Sequence, residues 1–301
     1  MAMQIKNVAI VGATGSAGSK IFQALVASGR FNVTALVRKP DAIQEPRATV
    51  NVVDFESADD LVKAMKGQDA VIDVSMAPSP ALPLRLIDAA VAAGVTRFIP
   101  SEFSVDPANP LVRAIPVFGI KNQVLERLKE LASEGKLTYT SISTSAFLDW
   151  NLRTGFFKIN LKTKTAELLN GGTVVVPWTL LDHVGTATVN VLTNLEQTKN
   201  QLVYISTVYK SQKEMLALAQ EALGEDGWTV STIDMEPVYQ ESLRQMQAGN
   251  ITFEVIGNMI VYCNSREDLT GKWKKDDNAL LGVEQWSDDQ VKELIKSIAV
   301  E

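Results

Sequence analysis

The segment NVAIVGATGSAGSKIFQALVASG, residues 7–29, decides the fold. Its opening NVAIV is mostly apolar, as expected of a strand that is buried on both faces. Ile21, Leu25 and Val26 mark one face of the helix that follows. Between strand and helix, Gly12–Gly18 reads GATGSAG, a GxxGxxG pattern. A glycine-rich turn in this context is typical of dinucleotide-binding proteins.

Each glycine of this motif has a predicted role. Gly12 would permit the tight turn, Gly15 would let a pyrophosphate approach the main chain, and Gly18 would let the helix pack close to the strand. The free N–H groups of the helix N-terminus attract phosphate, and the hydroxyls of Thr14 and Ser16 add donors. A glycine-rich turn without a ligand is the alternative interpretation.

The end of the second strand selects the cofactor. An acidic residue there would hold the ribose 2′-hydroxyl of NAD, whereas an arginine accommodates the 2′-phosphate of NADP. Arg38 falls 20 residues after Gly18, Lys39 follows it, and no carboxylate precedes Asp41. We therefore predict NADP(H); the alternative is a solvated basic pair at a strand end.

Two further strand ends supply candidate cofactor contacts. Asp54, after the third strand, would either approach the adenine or cap a turn. Ser75 and Met76, after the fourth strand, would line the dinucleotide on its way to the nicotinamide.

Strands alternate with helices through the first half of the chain. This rhythm predicts an α/β fold: a Rossmann-type, doubly wound parallel sheet over residues 1–150. The rhythm changes after Trp150, so residues 151–301 are predicted to form a smaller, mostly helical substrate-binding lobe, closely packed, with some elements free to return to the sheet. The predicted strands cover 7–11, 33–37, 49–53, 70–74, 97–100, 137–142, 173–176 and 202–205. The predicted helices cover 18–28, 61–65, 82–93, 117–131, 183–192, 213–223, 237–248 and 288–298.

Composition excludes several classes of partner. The 301 residues carry 29 basic and 35 acidic side chains, for a formal charge of -6, so nothing favours nucleic acid. No apolar run is long enough for a membrane span, Met1–Lys6 is too short for a signal peptide, and we predict no metal site. The single cysteine, Cys263, allows no intrachain disulfide, which suits the cytoplasm. Whether the protein forms a homodimer stays open.

One lysine lies on an apolar helix face. The stripe, spaced 3, 4, 4 and 3 residues apart, is formed by Val117, Ile120, Val124, Leu128 and Leu131. Lys121 projects within this stripe, and burying an unpaired ammonium is costly. It would either hydrogen-bond the nicotinamide ribose or exchange a proton with a lowered pKa. The alternative is a lysine that snorkels to the rim of a packed helix.

The tyrosine usually paired with such a lysine is missing. Short-chain reductases carry it four residues earlier, where this chain has Val117. A Tyr-x-x-x-Lys pattern does occur at Tyr209 and Lys213, but it lies too late in the chain, and we interpret it as coincidence.

The chain resembles the NmrA-like and isoflavone-reductase-like group of atypical short-chain dehydrogenases over nearly its whole length. The resemblance rests on GATGSAG, Arg38, RFIPSEF at 97–103, Lys121 and STSAFLDW at 143–150. It implies NADPH use, reduction of small aromatic or alkaloid-like metabolites, and a catalytic role for Lys121. It also implies that Ser101, Phe103 and Phe147 lie near the nicotinamide and substrate, although Ser101 would equally cap the loop after its strand.

The chain departs from that family at two places. Similar proteins often have an acidic residue where this one has His183, which would either act on substrate or start a helix. They also often have a Thr-Gly or Asn-Gly pair where this chain has Ser145 and Ala146, and the added bulk would reshape the pocket.

We predict an NADPH-dependent reductase of a small molecule, with hydride transfer to a C=C, C=N or C=O bond and Lys121 as proton donor or acceptor. Two alternatives remain open. One is a regulatory protein that senses NADP(H) through a protein partner. The other is an isomerase that uses the bound cofactor without net redox change.

Overall fold

The computed structural model describes residues 4–301, so the first part of the Met1–Lys6 segment lies outside the described residues. The strands are β1 (Asn7–Val11), β2 (Asn32–Val37), β3 (Thr49–Val52), β4 (Ala70–Asp73), β5 (Arg97–Ile99), β6 (Thr138–Ser143), β7 (Ala146–Phe147), β8 (Ile159–Asn160), β9 (Thr165–Leu169), β10 (Val175–Thr179), β11 (Gln201–Tyr204), β12 (Val208–Ser211) and β13 (Thr229–Ile233). The helices are α1 (Ser16–Ser28), α2 (Ala58–Met65), α3 (Ala81–Ala92), α4 (Pro110–Arg113), α5 (Gly119–Ser133), α6 (Leu148–Thr154), α7 (Leu181–Thr193), α8 (Leu195–Thr198), α9 (Gln212–Leu223), α10 (Met235–Gln247), α11 (Phe253–Cys263), α12 (Asn278–Leu281) and α13 (Asp288–Ala299).

The main sheet has seven strands in the order β11-β6-β5-β4-β1-β2-β3. All of its strand pairs are parallel. Read from the β3 edge, the first six strands follow the order 3-2-1-4-5-6, which is that of a dinucleotide-binding doubly wound sheet. The direction of this order reverses between β1 and β4. The predicted Rossmann-type fold is therefore confirmed.

Two elements from the second half of the chain complete this layer. β11 adds the seventh strand, with Tyr204 opposite Ser143 of β6. α7 packs against α1 so closely that a Cβ on Gly185 would lie 2.8 Å from the Ala24 Cβ and 2.8 Å from the Lys20 carbonyl oxygen. The predicted domain division allowed some elements of the second half to return to the sheet. β11 and α7 do so, and their packing joins the two parts of the chain.

The rest of the second half contains more strand than the sequence indicated. β7, β10 and β12 form one three-stranded sheet, and β8, β9 and β13 form another. Of these six short strands, the sequence predicted only the one now seen at Val175–Thr179. Strands this short carry too few residues for a period-two pattern to be visible.

The predicted elements otherwise match, with ends that shift by at most three residues. The helix predicted from residue 117 was wrong at its start, because Pro116–Phe118 forms a separate 3-10 turn and α5 begins at Gly119. Proline is favoured in a first turn because its missing N–H would have no partner there. Val117 therefore lies outside the apolar stripe of α5.

A buried arginine ties β5 to its neighbours. Arg97 is 3% exposed, and burial lowers its pKa to about 10. Its Nε donates to Thr138 Oγ1 at 2.9 Å and its Nη1 donates to Thr140 Oγ1 at 2.8 Å and Thr198 Oγ1 at 3.1 Å. Its Nη2 donates to the Leu195 carbonyl at 2.9 Å. The satisfied guanidinium links β5, β6 and α8, as a buried charge requires.

Within residues 4–301, no helix is long and apolar enough to cross a membrane.

We predict that Gly185→Ala lowers the free energy of unfolding by about 1–3 kcal/mol, because the new methyl group would overpack the contact between α1 and α7. Urea denaturation at equilibrium measures this. Gly119→Ala is the matched control: a Cβ there meets no atom within 4 Å, and the glycine has helical dihedral angles. Equal stability of the two variants would contradict the tight packing of α7 on α1.

Candidate functional site

The glycine-rich loop brings β1, α1 and β4 to one point. Gly12 has a φ of 84°, and a Cβ there would lie 2.7 Å from the main-chain carbonyl of Val74. A Cβ on Gly18 would lie 2.0 Å from the Gly12 carbonyl oxygen. By contrast, a Cβ on Gly15 would come no closer than 3.5 Å to its nearest neighbour, the same oxygen. Packing therefore requires glycine at Gly12 and Gly18, whereas Gly15 leaves the space above the loop open.

The N-terminus of α1 is available to an anion. Among residues 4–301 no side chain caps this helix, and its first turn carries no acidic residue. Thr14, Gly15 and Ser16 are exposed. Unpaired N–H groups and the helix dipole favour a negative group at this position.

The predicted cofactor-selecting residues follow β2. Arg38 and Lys39 are exposed, and the Arg38 guanidinium lies 5.9 Å from the centre of the Phe55 ring. Asp54 is also exposed, and its Oδ1 accepts the Glu56 N–H at 2.9 Å. Of the two roles weighed for Asp54, the structure shows the turn-capping hydrogen bond.

The end of β4 holds a buried carboxylate that the sequence analysis missed. Asp73 is 1% exposed, and its Oδ1 accepts both the Ser75 N–H at 2.8 Å and the Ser75 hydroxyl at 2.6 Å. Ser75 therefore directs its hydroxyl toward Asp73. Met76 is 87% exposed, an unusual position for a large apolar side chain. The signal was present, since Asp73 is the charged residue in the otherwise apolar run AVIDV.

Lys121 bonds to the loop after β5. Its Nζ donates to the carbonyl oxygens of Ser101 at 2.5 Å and Glu102 at 2.6 Å. Burial lowers the pKa of Lys121; Glu102 and Asp73 raise it and Arg113 lowers it. Its side chain is not snorkelling to solvent but is held by main-chain oxygens at the carboxyl end of the sheet.

The Glu102 carboxylate is already paired. Its Oε2 accepts from Arg113 Nη2 at 2.8 Å, and Glu102 is 3% exposed. A buried pair with this geometry holds the loop between β5 and α5, because separating the partners would leave a buried charge alone.

The loops after β5 and β6 are strained and joined. Phe103 has a φ of 30° and Ser145 a φ of 51°, conformations that are uncommon for residues other than glycine. The Ser104 carbonyl accepts the N–H groups of Thr144 at 3.1 Å and Ser145 at 2.9 Å. Such strain often occurs at functional sites. Phe103 and half-buried Phe147 pack into the same apolar cluster below these loops.

His183 and Lys121 have different hydrogen-bond partners. It is the third residue of α7, and its Nδ1 lies 2.8 Å from the Thr207 hydroxyl, which also accepts the Leu180 N–H at 2.9 Å. The ring meets Trp286 edge-on at 5.8 Å, and burial lowers the pKa of His183. These contacts suit a neutral imidazole that supports the start of α7.

The late Tyr-x-x-x-Lys pattern does not form one helical face. Tyr209 lies on β12, whereas Lys213 lies in α9. Within the described part of the chain, no group of three or more acidic, histidine or cysteine side chains is placed to hold a metal.

Comparisons with known proteins agree with this architecture. A model of the NmrA-like family matches residues 4–295. The oxidoreductase aprR of Aspergillus flavus is 34% identical over 253 residues, covering 83% of this chain and 84% of that protein. The oxidoreductase poxI of Penicillium oxalicum is 27% identical over 286 residues, covering 93% and 90%. The leucoanthocyanidin reductase–NADPH complex of Vitis vinifera has a TM-score of 0.75, with 17% identity, covering 98% of this chain and 100% of that one. The similarity to this reductase concerns the fold alone.

We predict that Lys121 loses its proton below the ordinary lysine pKa of about 10.4. Acetic anhydride reacts with neutral amines, so trace labelling across a pH series, read by mass spectrometry of the Lys121 peptide, measures the transition. Lys129, whose side chain is 48% exposed on the same helix, is the reference amine. Lys121 half-labelled at or above pH 10.4 would contradict the prediction.

Proposed function

Because this chain belongs to the NmrA-like family, we propose that it is an NADPH-dependent reductase of a small organic metabolite, with Lys121 as the proton donor. The family match over residues 4–295 confirms the resemblance noted in the sequence. The observation that carries the proposal is the position of Lys121: a half-buried amine, held by two carbonyl oxygens, at the carboxyl edge of a dinucleotide-binding sheet.

The residues of the chain fit NADP(H). Gly15 leaves room above the loop, and the uncapped start of α1 suits a pyrophosphate. Arg38 and Lys39 would pair with the 2′-phosphate at the end of β2. Thr14 and Ser16 would add hydroxyl donors, and exposed Met76 would be covered by the dinucleotide.

Lys121 would perform the proton chemistry of the site. When bound, NADPH supplies the hydride. The two carbonyls of Ser101 and Glu102 occupy two of the three N–H donors of Lys121, which leaves one to be directed at a substrate oxygen, nitrogen or carbon. Because burial lowers the Lys121 pKa, the ammonium is a better acid than an exposed lysine.

We further propose an aromatic or alkaloid-like substrate. Half-buried Phe147 of β7 offers apolar ring surface for a planar substrate, and Phe103, which is 8% exposed and lies in the loop that holds Lys121, packs in the same apolar cluster. The second half of the chain would close over it as a substrate-binding lobe. We assign His183 only a peripheral contact with the substrate, because its Nδ1 already pairs with the Thr207 hydroxyl.

We place the protein in the cytoplasm. Cys263 is the single cysteine, it is buried, and burial raises its pKa to about 12. A chain that uses no disulfide suits a reducing compartment.

Replacing Lys121 with methionine tests the proposal, since methionine keeps an unbranched apolar stem and removes the amine. We expect turnover to fall by at least about 100-fold, the usual contribution of a general acid. NADPH binding, followed by nicotinamide fluorescence, should change far less. The substrate panel consists of aromatic enones, imines and ketones. Retained turnover would remove Lys121 from the mechanism. NADPH binding without oxidation of any substrate would favour a sensor, and substrate conversion at constant NADPH absorbance would favour an isomerase.

Replacing Arg38 with aspartate should weaken NADPH binding much more than NADH binding. The aspartate would repel the 2′-phosphate but accept a hydrogen bond from the 2′-hydroxyl. Parallel fluorescence titrations with both cofactors measure the change. Arg47→Asp, the same charge reversal at another exposed site, is the control. Equal losses for the two cofactors would refute the assignment of Arg38.

A further inference from the structure

Asp73 lies at the centre of the carboxyl edge of the sheet. It is opposite Val11 of β1, and its neighbour Ile72 is opposite Ile99 of β5. It therefore stands between the glycine-rich loop and the segment whose carbonyls hold Lys121. A carboxylate that is 1% exposed costs free energy unless something compensates for its burial.

Both hydrogen bonds that Ser75 donates to Asp73 reach the same carboxylate oxygen. Its Oδ1 accepts both donors of Ser75, at 2.8 Å from the nitrogen and 2.6 Å from the hydroxyl oxygen. No donor among residues 4–301 bonds to Oδ2. One half of the carboxylate is thus oriented rigidly, while the other half keeps its acceptor capacity.

Lys121 needs a counter-charge that its hydrogen bonds do not supply. Both of its acceptors are neutral carbonyl oxygens. The charged groups that face it are Glu102, Arg113 and Asp73. Glu102 raises the lysine pKa most, but it is paired with Arg113 at 2.8 Å, and Arg113 lowers that pKa. Among residues 4–301, Asp73 is the other carboxylate that raises it, and it forms no ion pair of its own.

We propose that Asp73 is a positioning residue for Lys121: its buried carboxylate keeps the lysine in the ammonium form that donates the proton. The inference rests on the proposed function, in which Lys121 is the donor. Asp73 is not assigned a contact with substrate, and it acts through the charge of its neighbour.

Asp73 and Lys121 each shift the pKa of the other. Burial raises the pKa of Asp73, and the Ser75 hydrogen bonds and the Lys121 ammonium oppose that rise. Burial lowers the pKa of Lys121, and Glu102 and Asp73 oppose that fall. Removing the Asp73 charge should therefore let the lysine lose its proton at a lower pH.

Trace acetylation of the full chain across a pH series tests this directly, without relying on turnover. In Asp73→Asn, we expect the half-labelling pH of Lys121 to fall by about one unit, because a nearby opposite charge shifts a pKa by about that much. Asp73→Ser removes the same charge with a smaller side chain and serves if the amide disturbs folding, which far-UV circular dichroism checks. Asp54→Asn, which removes an exposed carboxylate at the end of β3, should leave the labelling of Lys121 unchanged.

A shift confined to the Asp73 variants supports the proposal, as does a matching acidward movement of the alkaline limb of kcat/KM. An unchanged labelling pH in a folded Asp73 variant overturns it, and so does an equal shift in Asp54→Asn. The two proposals fail separately. If Lys121→Met abolishes turnover while Asp73→Asn shifts nothing, only the role of Asp73 is lost. If Asp73→Asn shifts the labelling but Lys121→Met retains turnover, the reductase mechanism is lost and the electrostatic link stands.

Discussion

The contact between the end of β1 and the start of α1 is the constraint on which the rest of the structure depends. Main-chain atoms of Gly12 occupy the place where a side chain at Gly18 would stand, and Val74 occupies the place of a side chain at Gly12. Three segments thus converge with no room for a methyl group. The convergence aims the uncapped first turn of α1 across the carboxyl edge of the sheet, where an anion gains from the helix dipole.

This packing extends from the glycine-rich loop to the second half of the chain. α1 contacts α7 through Gly185, and Lys20 on α1 pairs with Asp182 on α7 at 2.9 Å. β11 completes the sheet beside β6, and Arg97 of β5 joins β6 to α8 through its hydrogen bonds. Because the two halves share one layer, the loops that surround Lys121 and the second half of the chain keep a defined relation.

The carboxyl edge concentrates buried charge in a small space. Asp73 and Glu102 are buried, Lys121 and Arg113 are half-buried beside them, and poorly solvated charges depend on one another to stay ionised. Glu102 and Arg113 hold the loop between β5 and α5, and the lysine amine is held by two neutral main-chain carbonyls of the same loop.

The sequence by itself determined the Rossmann sheet, the glycine loop and the basic end of the second strand, because these follow from local order: strand, turn and helix are contiguous, and each glycine acts within its own turn. It also identified Lys121, since a charge on an apolar stripe is visible from helical periodicity. Only the tertiary structure decided what holds Lys121, because the Ser101 and Glu102 carbonyls come from the loop after β5 and not from α5. The same holds for the return of β11 and α7 to the sheet. Contacts between residues far apart in the chain depend on how the layers pack, and no local pattern records them.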